Sequence, residues 1–308
     1  MSAEIDLLLD RRRLKRRLQF WRVATVLALV AAGLLALGRS GVPLWPGAGA
    51  HVAVLRVDGI ITADAARDEA VARLADDRSV KALIVAVDSP GGSVAGGEAL
   101  HDAIARVAAK KPVVAVMGPL AASAAYMISV PAARIFAREA TLTGSIGVLL
   151  QAGEISGLLR KIGITSETIV SGPLKDQPSL TAPLTPEGRA VMQDIVDNLY
   201  GQFVAMVAAG RHMSVKAVQA LADGRPYTGQ QALKLGLIDA IGGMRSARAW
   251  LARTKGVPES LPARAVAGPG FAERAFGGGL GGLLNIFLSQ RVNLDGAWAI
   301  WQPAEQLR

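Results

Sequence analysis

Residues 81–93 read Lys81-Ala82-Leu83-Ile84-Val85-Ala86-Val87-Asp88-Ser89-Pro90-Gly91-Gly92-Ser93, and the reading of this stretch decides the fold. An apolar run of strand length ends at a polar, glycine-rich turn, and a helical pattern over 94–109 follows. A strand with little polar alternation is one buried on both faces, as in a parallel sheet. The same grammar extends outward. Upstream, His51–Val57 reads as a strand and 63–76 as a helix; downstream come a strand at Pro112–Met117, a helix over 120–130 and strands at Arg134–Ala137 and Ile164–Val170. Alternation of this kind implies βαβ units and a largely parallel sheet. From Thr185 the chain turns helical. Thr185-Pro186-Glu187 is a helix start, the helix is predicted to run to near Gly210, and shorter helices follow at about 214–222, 228–235 and 244–254.

The composition suits this α/β reading. Of 308 residues, 51% are hydrophobic but only 5% aromatic, so the core is built mainly from Ala, Val, Leu and Ile. The absence of cysteine excludes disulfides, thiolate zinc sites and a cysteine nucleophile. The three histidines, His51, His101 and His212, lie in no metal-ligand spacing. The net charge of +9 does not point to nucleic acid, because it is concentrated at one end. Residues 1–39 hold eight basic and three acidic residues, a net +5 that leaves only +4 for the rest.

That basic block directly precedes Phe20–Gly38, an apolar run interrupted only by Arg22. About 20 apolar residues span a bilayer as a helix, and flanking basic residues stay in the cytoplasm. The organisation expected is therefore a cytoplasmic basic segment (1–19), a transmembrane anchor (20–38), a Gly/Pro linker (39–50), a domain over 51–255 outside the cytoplasmic (inner) membrane, and an apolar Gly-rich tail (256–308). A cleaved signal peptide is the competing reading of the first segment, since Ala36-Leu37-Gly38 offers small residues; the long, acid-containing leader fits a retained anchor better. The tail suits packing on a neighbour or on the membrane, or a product-like peptide in a neighbour's groove.

Four segments carry candidate chemistry, each with an ordinary structural reading beside it. Asp88–Ser93 is either a strand-to-helix turn or a set of glycine amides aimed at an anion or carbonyl. Ser123, in Met117-Gly118-Pro119-Leu120-Ala121-Ala122-Ser123-Ala124-Ala125-Tyr126, is either a close-packing residue or a nucleophile with an oxyanion donor in the next amide. Thr141–Val148 reads as a tight turn leading into a buried strand. Lys175, in Ser171-Gly172-Pro173-Leu174-Lys175-Asp176, is a solvated loop lysine unless it serves as a base.

In this order, on an alternating α/β chain, the four segments resemble the signal peptide peptidase A family of membrane-bound Ser/Lys peptidases. The resemblance runs from about 52 to 250 and includes Asp223-Gly224-Arg225, Tyr227-Thr228-Gly229-Gln230-Gln231-Ala232 and Gly236-Leu237-Ile238-Asp239. It implies a ClpP/crotonase-like fold of repeated ββα/βαβ units behind one transmembrane helix. By the same resemblance Ser123 matches the nucleophile, Lys175 the general base and Ser145 the serine that positions the lysine amine, while the amides of Gly92 and Ala124 match the oxyanion hole. The family usually has Ser-Gly-Gly-Tyr where this chain has Ser123-Ala124-Ala125-Tyr126; the donor is a backbone group, so the chemistry is expected to survive with a tighter pocket.

The resemblance also implies hydrophobic peptides, remnant signal peptides among them, as substrates, and a ring-shaped homo-oligomer of the octameric kind. No cofactor, metal or nucleic acid is implied. A lysine free in water has a pKa of about 10.4; to act as base Lys175 is expected to be buried among apolar groups, with Asp176 facing away. Two other classes compete. A crotonase-type thioester enzyme would need a coenzyme A site and no Ser/Lys pair. A catalytically inactive or regulatory membrane scaffold would be favoured by loss of Ser123 or Lys175, and both are present.

Overall fold

The computed structural model describes residues 49–266 and 298–300, with Trp21 and Thr25 from the amino-terminal region. The chain divides into two units, residues 1–50 and 51–308. The anchor expected over 20–38 lies outside the described residues except for Trp21 and Thr25, which are helical. No described helix is long and apolar enough to cross a membrane.

The second unit opens with β1 (His51–Asp58), α1 (Ala65–Arg73), β2 (Val80–Ser89), β3 (Gly91–Ser93), α2 (Val94–Ala108) and β4 (Val113–Ala122). β1 pairs with β2, and β2 with β4, all parallel, so α1 and α2 are the crossovers of two successive βαβ units, as expected. Alternate residues explain the apolar runs. Ala53, Leu55, Leu83, Val85, Val113 and Ala115 enter a large core on one face, which Leu100, Ile104 and Val107 of α2 complete. Val52, Val54, Ala82, Ile84, Val114 and Val116 enter a smaller core on the other. Where the strands are covered on both sides, over 52–55, 82–85 and 113–116, every residue is apolar.

Beyond β4 come α3 (Ala124–Met127), β5 (Arg134–Ala137), β6 (Leu142–Gly144), α4 (Ser156–Lys161), α5 (Pro186–Arg211), α6 (Val215–Gln219), β7 (Pro226–Thr228), α7 (Gly229–Lys234), β8 (Ala240–Ile241) and α8 (Met244–Lys255). The long strand β4 shares one edge between two neighbours: β5 pairs with Val114–Val116 and β6 with Leu120–Ala122, both parallel. β7 adds antiparallel to β6, making the sheet mixed. Ala247 and Leu251 of α8 cover the smaller core. Thr185 caps α5, its side chain accepting from Gly188 N at 3.0 Å.

Two described strands follow residue 255. β9 (Ala263–Ala265) pairs parallel with β1, and β10 (Trp298–Ile300) pairs antiparallel with β3 in a separate two-stranded sheet.

Three sequence expectations are corrected. The helix predicted over 120–130 is a strand as far as Ala122 and helical only over Ala124–Met127, because Leu120–Ala122 find partners in β6. The motif at 141–148 runs in the opposite order: the short strand β6 comes first and the turn follows it. The strand predicted at 164–170 is irregular, exposed chain, Ile169 being 94% exposed. β-branched alternation makes a strand only where an edge and a covering layer exist, and the described chain offers this segment neither.

Candidate active site

The carboxyl ends of β2, β4 and β6 lie side by side, with Ser89 opposite Ala121 and Ala122 opposite Gly144. Each strand there passes into an unusual turn, and the three turns assemble the site.

After β2, the Ser89 hydroxyl accepts from Gly91 N at 3.1 Å. Gly91 adopts φ 109°, open only to glycine. Ile61 then clamps β3: Ile61 N donates to Gly91 O, and Ser93 N to Ile61 O, both at 2.9 Å. A Cβ on Gly92 would lie 1.8 Å from Ile61 O, so no side chain fits. Ser93 ends the turn by capping α2, accepting from Gly96 N at 3.1 Å.

After β4, Ser123 N donates to Gly144 O at 2.8 Å, and Ser123 O accepts the first helical bond, from Met127 N, at 2.9 Å. Between them Ser123 is held at φ 59°, ψ −121°. A non-glycine residue at such φ stores roughly 1–3 kcal/mol and persists only where its surroundings impose it. A serine at a helix start ordinarily caps it; this one makes no capping bond, so its hydroxyl is not committed to the helix. Strand-to-helix elbows of this general kind present nucleophilic serines in hydrolases. β3 packs against α3, which gathers Gly92, Ser123 and Ala124. The Ala124 methyl lies against Gly97, where a Cβ would come within 3.0 Å of it.

After β6, Gly144 at φ 75° and Ser145 at φ 48° form consecutive left-handed residues. The carboxy-terminal motifs hold this turn. Ser145 N donates to Arg225 O at 3.0 Å, Gly224 N donates to Ile146 O at 3.1 Å, and the Tyr227 ring fills the space beside Gly144. The Arg225 guanidinium beside Asp223 keeps that carboxyl below the ordinary carboxylate range and the loop in shape.

Gly236–Asp239 braces the other side of the elbow. The fully buried Tyr126 hydroxyl donates to Leu237 O at 2.7 Å, and burial pushes its phenol up. Asp239 accepts from Ile135 N at 2.7 Å and pairs with Arg211 through two bonds of 2.7 and 3.0 Å. Sequence reasoning noted these motifs without giving them a job; Tyr126, three residues past Ser123, was the available signal. Tyr126→Phe strands the buried Leu237 carbonyl and is expected to cost about 1–3 kcal/mol, read as a lower urea midpoint at unchanged slope.

The structure thus gathers Gly92, Ser123, Ala124 and Ser145. Ser123 is 1% and Ser145 5% exposed. It does not bury Lys175. That residue sits on an exposed turn, its amide donating to Gly172 O at 3.1 Å, and among the described residues no hydrogen bond joins it to Ser123 or Ser145. The expected apolar enclosure is missing because Ile164, Ile169, Val170, Leu174 and Leu180, which flank the lysine, are themselves exposed. No ion pair links Lys175 to Asp176 among the described residues.

The profile of peptidase family S49 matches residues 105–258, half of the chain. The chain belongs to peptidase family S49. Among the curated relatives of this S49 chain, a Synechocystis protein named as a candidate protease is 41% identical over 182 residues, 59% of this chain and 66% of its own length. An Enterococcus faecium protein named as a candidate signal peptide peptidase SppA is 41% identical over 55% of this chain and 50% of its own length. Protease 4 of Salmonella typhi is 40% identical over 60% of this chain but 29% of its own length. The S49 chain therefore spans less than two thirds of each of these relatives. Solved structures similar to it include a serine-to-alanine mutant of the membrane-bound stomatin-specific protease 1510-N (TM-score 0.47, 17% identity, 71% of this chain and 99% of that one). Another is a ClpP1 mutant from Listeria monocytogenes (TM-score 0.41, 16% identity, 63% of this chain and 92% of that one).

Proposed function

We propose that this S49 chain is a membrane-anchored serine endopeptidase that cleaves apolar peptides with Ser123 as nucleophile and Lys175 as general base. The observation that carries the reading is the strained elbow that holds Ser123 beside Gly92 and Ser145 with its hydroxyl unused by the helix. Ser123 Oγ attacks the scissile carbonyl carbon while its proton passes to the neutral Lys175 amine. The oxyanion is held by the amides of Gly92 and Ala124. The lysine then protonates the leaving amine, and water releases the acyl group from Ser123 by the reverse path.

A lysine serves as base only when its neutral form is favoured, which a dry setting provides. The exposed apolar residues around Lys175 are suited to being covered by another copy of the chain, so the reading includes a homo-oligomer, a ring of the octameric kind, in which that contact dries the amine. Residues 20–38 are the anchor in this reading, with the amino terminus in the cytoplasm and the peptidase outside. Substrates there are apolar segments released at the membrane, remnant signal peptides in particular; the name of the Enterococcus relative supports that class.

The test is hydrolysis of a fluorogenic apolar peptide by the detergent-solubilised full chain beside Lys175→Ala. Wild type is expected to cleave, and the variant to fall by about 10²–10⁴-fold, the usual worth of a general base. Equal rates would remove Lys175 from the chemistry. No cleavage by wild type would favour the scaffold.

A further inference from the structure

Two adjacent glycines lie near the start of α2. Gly96 and Gly97 are the third and fourth residues of Val94–Ala108, and both are buried. Glycine is the poorest helix former after proline, so a buried pair there marks close approaches that the helix itself does not need. Each glycine admits a different piece of the site. A Cβ on Gly96 would stand 2.6 Å from Thr62 C and 2.7 Å from Ala63 N, the residues that follow the Ile61 clamp on β3. A Cβ on Gly97 would meet the Ala124 methyl at 3.0 Å and Met127 Sδ at 3.2 Å. The start of α2 thus stands between the segment that fixes Gly92 and the elbow that carries Ala124. Ala124 is the first residue of α3, and the first N–H groups of a helix have no acceptor within it. A helix of four residues is too short to hold its own direction. The direction of the Ala124 N–H is therefore set by packing, with its methyl fully buried against Gly97.

We propose that Gly97 is a positioning residue for the oxyanion hole: the notch it leaves in α2 seats the Ala124 methyl and so aims the Ala124 amide. The inference rests on reading Ser123 as the nucleophile and the amides of Gly92 and Ala124 as oxyanion donors. Gly97 touches no reacting atom and acts through Ala124. An oxyanion donor is effective only where charge develops, so a small displacement of the Ala124 amide costs turnover and leaves substrate binding alone. A methyl at 124 and a bare Cα at 97 are a matched pair, and exchanging the two residues preserves the match.

The experiment measures kcat and KM on the fluorogenic apolar peptide, and thermal unfolding, for the detergent-solubilised full chain, Gly97→Ala, Ala124→Gly and the double variant. Gly97→Ala is expected to lower kcat about tenfold at unchanged KM, a fraction of the roughly 10²–10³ that a whole oxyanion donor carries. Its unfolding midpoint should stay near that of wild type, because the better helix propensity of alanine opposes the crowding. Adding Ala124→Gly to Gly97→Ala makes room for the new methyl and is expected to recover most of the lost kcat. Ala124→Gly alone leaves the notch unfilled and should lower kcat severalfold. A substitution that harms turnover alone and restores it in company identifies a fitted pair; a merely structural glycine would lose stability and show no such reversal. Equal kcat in wild type and Gly97→Ala, or a double variant no faster than Gly97→Ala, would overturn the proposal. Should Gly97→Ala fail to fold, wild-type kcat in Ala124→Gly would overturn it as well. If wild type cleaves nothing, or Ser123→Ala cleaves as fast, the peptidase reading falls and this inference with it. Cleavage that depends on Ser123 but is indifferent to Gly97→Ala sinks the inference alone.

Discussion

Ser123→Ala is expected to lower kcat/KM on an apolar fluorogenic peptide by at least about ten-thousandfold, the scale on which removing a serine nucleophile acts, with the fold intact. The two halves of this expectation come from one feature. Ser123 keeps its place through its backbone, donating to Gly144 O and accepting from Met127 N, and its hydroxyl makes no capping bond. Deleting the hydroxyl therefore removes the proposed nucleophile and leaves the backbone bonds that shape the elbow, so the unfolding midpoint should change little. The check is paired: peptide hydrolysis, and the midpoint of thermal unfolding. A variant that retains activity would place the nucleophile elsewhere; one that is inactive and unfolded would make Ser123 a structural residue.

Gly92→Ala is expected to be less damaging to activity than loss of the Ser123 hydroxyl but much worse for stability. The added methyl would lie 1.8 Å from Ile61 O, 2.5 Å from its carbonyl carbon and 2.6 Å from its nitrogen. These are backbone atoms, with no rotamer through which to retreat. Relief requires breaking the bridge between Ile61 and Gly92, which shifts one of the two amides expected to meet the oxyanion. Overpacking of this kind costs about 1–3 kcal/mol, occasionally more, and loss of an oxyanion donor alone costs about 10²–10³ in kcat. Urea denaturation and peptide hydrolysis on the same preparation separate the two effects. A stable, fully active Gly92→Ala would show that this amide stabilises no oxyanion.

Much of the frame was legible in the residues. β1, β2 and β4 announced themselves because both of their faces are buried, leaving apolar runs of strand length, and α5 because Thr185-Pro186-Glu187 supplies both a cap and a fixed φ. The turn at Ser89–Ser93 was legible in location, but its clamp by Ile61 depends on a neighbour in space. Leu120–Ala122 misled because an alanine-rich apolar run has no period to separate strand from helix; pairing with β6 decides it. The strained φ of Ser123 and Ser145 leaves no local signature, since it is imposed by bonds to Gly144 and Arg225. Lys175 was picked out through resemblance, and its surroundings were misjudged because the described chain supplies no layer to cover it.

The brace on the elbow has a consequence in time. Tyr126 is tied to Leu237 across 111 residues and Ile135 to Asp239 across 104, and Ser145 waits for Arg225. Contacts so distant along the chain form late, after their loops have closed, and during synthesis they cannot form until the later partner has been made. A growing chain that has reached residue 200 holds every group assigned to the chemistry, yet the supports that fix their geometry do not exist. On the proposed reading, competence is therefore expected to come late, and fragments released early would carry Ser123 in an unformed setting.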